Sequence, residues 1–423
     1  MHPLKIAIIG AGSSYTPEII EELAARRERL PVTQLALMDI DESRLETVAG
    51  FCRRFASHLG YDIPIETTTD RRAAIADARF VLTQIRVGGN AQRILDEKIP
   101  LKYGVIGQET TGPGGMFKAL RTIPPMVEIA REVEALGNQA WIINYANPTG
   151  MVAEAVVKST NVLIAGLCAG GNFPRQAAVR ALGVPPEAIF YDYFGLNHLN
   201  FAYNLRVHGA PLSAEEYDKV LSIATGGAVH PELIRLLRLI PSPYLHYYYH
   251  RAQCLRDAQT KSLTRGEHVL QIEQEVFHAY ADPTQRVKPE ALAKRGGGGY
   301  SEIALDVIEA AYTNREKVIV INVPNQGAAA CLPDDAVIEV PCLVNASGIF
   351  PLRQRELPRA VWGLIAAVKN YEQLTIEAAI TGNCDTALLA LLAHPLVGDY
   401  EKAKALLAEM LEANRRYLPQ FFR

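Results

Sequence analysis

A chain of 423 residues, 49% of them apolar, exceeds one ordinary domain and can fill sizeable cores. Its formal net charge of −3 gives no electrostatic reason to expect nucleic acid as a partner. No stretch approaches the ~18 uninterrupted apolar residues of a membrane span, and Met1 to Lys5 run almost directly into a strand rather than a leader, so a cytoplasmic protein without a membrane partner is expected. The 6 cysteines are scattered and never in C-x-x-C spacing, which argues against a disulfide framework in such a chain.

In chain order, apolar β-favouring runs predict strands over 4–9, 34–38, 80–85, 141–145 and 163–166. Helical patterns fall between them at 17–26, 42–59 and 121–136. Strand–helix alternation of this kind predicts a Rossmann-type, doubly wound parallel sheet. After about residue 190 the pattern changes to helices at 214–223, 231–239, 265–280 and 300–313, with β-rich runs at 199–208, 317–323 and 336–344. The end, 359–417, reads as helical. The expected organisation is a nucleotide-binding domain over 1–166 and a mixed α+β, largely helical second domain over 167–423. No Pro/Ser-rich linker separates them, so they should pack directly.

The first strand runs into "GAGSSYTP". Gly10 and Gly12 fit a dinucleotide turn, but Tyr15 stands where G-x-G-x-x-G has its last glycine. Ser13, Ser14 and Thr16 lead into Pro17, an acceptable first-turn proline, and a helix N-terminus with free amides suits a pyrophosphate. The second strand ends at Asp39, an acid placed to hold ribose hydroxyls and favouring NAD over NADP. A plain strand-to-helix turn remains open on these residues alone.

Further along stand "DRRAAIADARFVLTQIRVGG", "DEKIPLKYGVIGQETTGPGGMFKALRTIP", "NYANPTGMV", "GLNHLNF", "KRGGGGYSE" and "RRYLPQFF". With "GAGSSYTPE" these resemble, over nearly the whole chain, the NAD- and divalent-metal-dependent glycosidases of glycoside hydrolase family 4, and among them the 6-phospho-β-glucosidases. The resemblance implies a first domain like that of lactate and malate dehydrogenases. It also implies a redox elimination: oxidation of the sugar at C3 by NAD, proton removal at C2, loss of the C1 substituent, water addition and re-reduction. This departs from the paired-carboxylate route of most glycosidases.

The resemblance also assigns roles. Cys168 and His198 would bind Mn2+ or another divalent metal, although on the residues alone one reads as a buried thiol and the other as a structural histidine. Tyr247, in "YLHYYYH", would be the C2 base, with Tyr248 as neighbour. Glu109 would act near metal-bound water or in leaving-group protonation. Asn147 and Asn197 would meet the sugar, and Arg86 and Arg295 would grip a 6-phosphate, against the plainer alternative of surface salt bridges. A phosphorylated glycoside is the expected small-molecule partner, and a homodimer or homotetramer the expected assembly.

Two places depart from the family pattern. Ala169-Gly170-Gly171 follows the cysteine where the phospho-β-glucosidases have Cys-Asn-x-Pro, and Gly298 and Gly299 replace bulkier residues. Both remove volume near the expected sugar pocket. They leave the sugar, the anomer and the need for a 6-phosphate open. A net dehydrogenase and a non-catalytic NAD- or sugar-binding protein stand as alternatives.

Overall fold

The computed structural model describes residues 4–224, 226–296 and 299–423. Six parallel strands form one half of its sheet: β1 (Leu4–Ile9), β2 (Val32–Met38), β3 (Ile65–Thr68), β4 (Phe80–Thr83), β5 (Trp141–Asn144) and β6 (Ile164–Gly166). Their lateral order is β3-β2-β1-β4-β5-β6, that of a dinucleotide-binding fold. All four residues of β4 are buried, because helices cover both faces of a parallel sheet and demand continuous apolar runs. Order reverses between β1 and β4, so their carboxyl ends open the crevice where such folds take ligands.

The sheet does not stop at β6. It continues antiparallel through β7 (Ile189–Leu196), β8 (Leu199–Val207), β9 (Ala210–Pro211), β10 (Ile240–Pro241), β11 (Lys317–Pro324), β12 (Val337–Asn345) and β13 (Gly348–Pro351). The order onward from β6 is β11-β12-β7-β8-β10, with β9 beside β8 and β13 beside β12. Helices make up most of the remainder. Helix Arg265–Ala281 packs on Gly89–Lys102 and Glu42–His58, and Arg359–Thr381 packs on Gly112–Leu136.

Most expected elements are present within a few residues of their predicted ends. The differences have local causes. Strand β3, "IETT", is short, polar and only partly buried, so it carries no strong pattern. Strand β7, "IFYDYFGL", contains Asp192 and Gly195; a Cβ on Gly195 would lie 2.3 Å from the Leu199 carbonyl, a contact only glycine permits. The helix expected from 121 begins at Gly112, and Pro113, Pro124 and Pro125 within it mask its pattern. Gly298 lies outside the described residues. Among the described residues, no helix is long and apolar enough to cross a membrane.

Candidate active site

The glycine turn closes tightly on the sheet. The Gly10 and Ala11 amides both donate to the Met38 carbonyl, each at 2.9 Å. Gly10 has φ +87°, and an added Cβ would lie 3.0 Å from the backbone of Gln84, so this residue must be glycine. The Gly12 amide donates to Asp39 Oδ2 at 2.9 Å, and Arg44 Nε donates to the Gly12 carbonyl at 2.7 Å. The acid and the turn are therefore held together, although Asp39 follows Gly12 by 27 residues. Ser13 is half-buried on the same turn. Ser14 is fully buried; its hydroxyl donates to Glu273 at 3.4 Å, and the Tyr280 hydroxyl donates to its carbonyl at 2.8 Å. Tyr15, in place of the third glycine, carries Arg295 over its ring at 4.5 Å and donates its hydroxyl to the Gly296 carbonyl.

Beyond β4, three cations surround Glu109. Arg86 Nη1 lies at 2.6 Å, Lys118 Nζ at 2.8 Å and Arg93 Nη1 at 3.1 Å. Burial alone would raise its carboxyl, but these charges hold it well below the ordinary carboxylate range. It is ionised at neutral pH, an acceptor and not a proton donor, which argues against leaving-group protonation by Glu109. Burial, with Arg86 beside it, pushes Lys118 down to about 7. Arg295 is likewise committed, donating to Glu273 from Nη2 at 2.9 Å and Nε at 3.1 Å. Glu273 also takes the Asn90 amide at 2.8 Å.

Cys168 follows β6 and caps the short 3-10 helix Ala169–Asn172, accepting from the Gly170 amide at 3.5 Å. His198 sits in the two-residue turn between Leu196 and Leu199, which joins β7 to β8, at φ +66°. Histidine enters this left-handed region more readily than most side chains. Asn197 and Tyr300 lie near the Cys168 thiol and favour its ionised form, against the effect of burial. Tyr244 stacks on the His198 ring with centroids 4.1 Å apart, and it also lies within electrostatic reach of Cys168. Thus thiol and imidazole face one neighbourhood. Burial and Lys118 push His198 down to about 4, leaving a neutral imidazole, the form that ligates metals. Its Nδ1 is buried without a partner. The Asn147 amide, after β5, donates to the Tyr145 carbonyl at 3.0 Å, while its buried Oδ1 has no partner.

These unsatisfied atoms fit a divalent metal and a polar ligand. Among the described residues, no three His, Cys, Asp or Glu side chains gather as a closed metal cage; two protein ligands leave the open positions a catalytic metal needs. Burial pushes the Cys168 thiol up, so a thiolate here requires the charge of a cation.

Sequence reasoning did not single out Tyr244 as the tyrosine that stacks on His198. Tyr247 lies against Tyr244 at 6.0 Å and on His246 at 3.9 Å. Spacing within "PYLHYYY" could not separate them, because the stacking partner comes from another part of the chain. Arg93, Lys118 and Glu339 were missed for the same reason.

A dinucleotide-type sheet with thiol, imidazole, carboxylate and amides at its carboxyl edge defines a cofactor-dependent enzyme of the doubly wound class. Two family models match: family 4 glycosyl hydrolase over residues 5–178 and the family 4 glycosyl hydrolase C-terminal domain over 193–397. The chain belongs to family 4 of the glycosyl hydrolases. It is 41% identical to a probable 6-phospho-beta-glucosidase of Bacillus subtilis, across 99% of this chain and 98% of that one. Identity to a maltose-6'-phosphate glucosidase of the same organism is 30%, over 98% and 96%. A 6-phospho-beta-glucosidase from Thermotoga maritima, solved with manganese, NAD+ and glucose-6-phosphate, superimposes with TM-score 0.91 at 37% identity, covering 98% and 99%.

Proposed function

We propose that this glycosyl hydrolase cleaves the O-glycosidic bond of 6-phospho-β-glucosides, with NAD and a divalent metal, Mn2+ foremost, as cofactors. The full-length likeness to phospho-β-glucosidases, stronger than to a phospho-α-glucosidase, carries this reading. When bound, NAD supplies a reversible two-electron acceptor for the sugar and the metal a Lewis acid for its oxygens. Gly10, Gly12, Ser13 and Ser14 form the backbone cradle for the dinucleotide, and Asp39 takes the ribose hydroxyls. Cys168 and His198 hold the metal. Asn147, through its unpartnered Oδ1, and Asn197 orient the sugar. Glu109, ionised, accepts from a sugar hydroxyl or a water. Arg86, Arg93 and Arg295 supply cations for the 6-phosphate, which must share them with Glu109 and Glu273.

The C2 proton goes to a tyrosine. Tyr247 is one candidate, and burial pushes it up to about 12. The stacking of Tyr244 on His198 favours Tyr244 as a second reading, since a nearby metal charge would lower the pKa of a buried phenol toward neutral pH. The nucleotide-binding part is 1–166 and the metal- and substrate-binding part 167–423. The assembly is a homodimer or homotetramer, and the location is the cytoplasm.

A screen of nitrophenyl α- and β-glucosides, each with and without a 6-phosphate, tests the substrate. Turnover of the phosphorylated β-glucoside alone, dependent on NAD and Mn2+, is expected. Equal turnover of the unphosphorylated compound, or net NADH release, would contradict it. Chelation should abolish activity and Mn2+ restore it, whereas full chelator-resistant turnover in Cys168→Ser would remove the metal assignment.

A further inference from the structure

The antiparallel half of the sheet is joined across two thin seams. Strand β11 pairs with β6 only at Asn322 and Gly166, and β12 pairs with β7 only at Glu339 and Gly195. Cys168 lies just past the first seam and His198 just past the second. The register of one against the other therefore depends on little backbone pairing.

Side chains at the same two seam positions take over. Glu339 is 0% exposed. Its Oε1 accepts from the Tyr193 hydroxyl at 2.6 Å and the Asn200 amide at 3.1 Å. Its Oε2 accepts from the Asn322 amide at 3.1 Å and the Asn197 amide at 3.4 Å. Each oxygen thus takes two donors, the full capacity of a carboxylate. The Asn322 amide also donates to the Gly166 carbonyl at 3.1 Å, at the end of the strand that leads to Cys168. Asn197 directly precedes His198 and lies near the Cys168 thiol as well. One carboxylate consequently links both sides of the metal site through Asn322 on one and Asn197 and Asn200 on the other.

A buried carboxylate is costly, and an apolar pair could hold two strands together without it. We propose that Glu339 is a positioning residue that sets His198 in register with Cys168 for the metal. The proposal rests on the metal reading given above. Glutamine is a poorer substitute: it accepts at one oxygen only, and its amide hydrogens would face an asparagine amide where the carboxyl group accepts one.

The test measures binding of Mn2+ alone, by the loss of the free-ion EPR signal, to the wild-type chain, Cys168→Ser and Glu339→Gln, with NAD affinity by calorimetry and the thermal midpoint alongside. The expected result is binding by wild type, loss in Cys168→Ser, and roughly 10- to 100-fold weaker binding in Glu339→Gln, the usual cost of losing an outer-shell partner, with NAD affinity unchanged. Glu339→Asp, which keeps the carboxyl group, should recover part of the loss. Wild-type Mn2+ affinity in folded Glu339→Gln overturns the proposal, since a merely structural role would lower the midpoint and leave metal affinity alone. Absence of Mn2+ binding by wild type would instead overturn the metal reading itself. If Glu339→Gln does not fold, Tyr193→Phe removes a single donor from the same carboxylate; weaker Mn2+ binding supports the proposal and unchanged binding overturns it.

Discussion

Tyr15 shows how far one residue can depart from a motif without breaking it. The third glycine of a dinucleotide turn allows close helix packing; here the tyrosine ring lies under Arg295 and its hydroxyl reaches Gly296, so the nucleotide turn is tied to the segment that carries a candidate phosphate ligand. Asp39 is the residue on which nucleotide affinity should turn. Replacing it with alanine should weaken NAD binding by about 1–3 kcal/mol, the loss of charge-assisted hydrogen bonds; calorimetry that returns wild-type affinity would remove Asp39 from the site. The two tyrosines can be ranked the same way. Phenylalanine at Tyr244 should cost kcat roughly 10²–10⁴-fold, the range for a lost general base, and phenylalanine at Tyr247 much less. The reverse order in steady-state rates would make Tyr247 the base. The residue types of the site were legible from the chain, but the partners were not. Glu109 was recognisable as a site acid, yet only the fold brings Arg86, Arg93 and Lys118 onto it and so decides that it stays ionised.

Elements with one clean pattern were readable and those serving two ends were not. Strand β1 is a buried apolar run and appears where "LKIAII" predicts it. Strand β7 carries aromatics on both sides of Asp192 and, next to its last residue, a glycine set by contact with β8, so its pattern is broken by its own hairpin. Helix Arg359–Thr381 was legible as a helix, but not its buried ion cluster. Lys369 there donates to Glu154 at 2.9 Å and to the Val337 carbonyl at 2.8 Å, and pairs with Glu372 at 2.5 Å. Burial would raise the Glu154 carboxyl, but Lys369 and Lys158 hold it below its ordinary value of 4.5. Its contribution to stability is therefore present above that value and lost as the pH falls through the lower, folded value. Lys369→Met leaves the buried Glu372 without its cation and Glu154 with Lys158 alone, and should cost about 3–5 kcal/mol at pH 7. The difference from wild type should shrink below pH 4.5 in denaturant titrations, as Glu154 takes up a proton. A difference independent of pH would show that Lys369 acts by packing alone.

At the scale of the molecule, one sheet runs from β3 to β10 through both parts of the chain. The parallel half was legible because strand–helix alternation is a repeated local signal. The antiparallel continuation was not, because its seams rest on single pairs and on Asn322 and Glu339, which nothing local marks. The crevice at the β1/β4 switch point and the thiol–imidazole site past β6 belong to the same sheet edge, which is what a redox route through the sugar ring requires and a direct displacement does not. The decisive measurement runs turnover of nitrophenyl 6-phospho-β-glucoside in D2O with NAD and Mn2+, followed by NMR of the sugar product. The account predicts deuterium at C2 of the released glucose 6-phosphate and no product when NAD is withheld. Product that keeps its C2 proton and forms without NAD would contradict it.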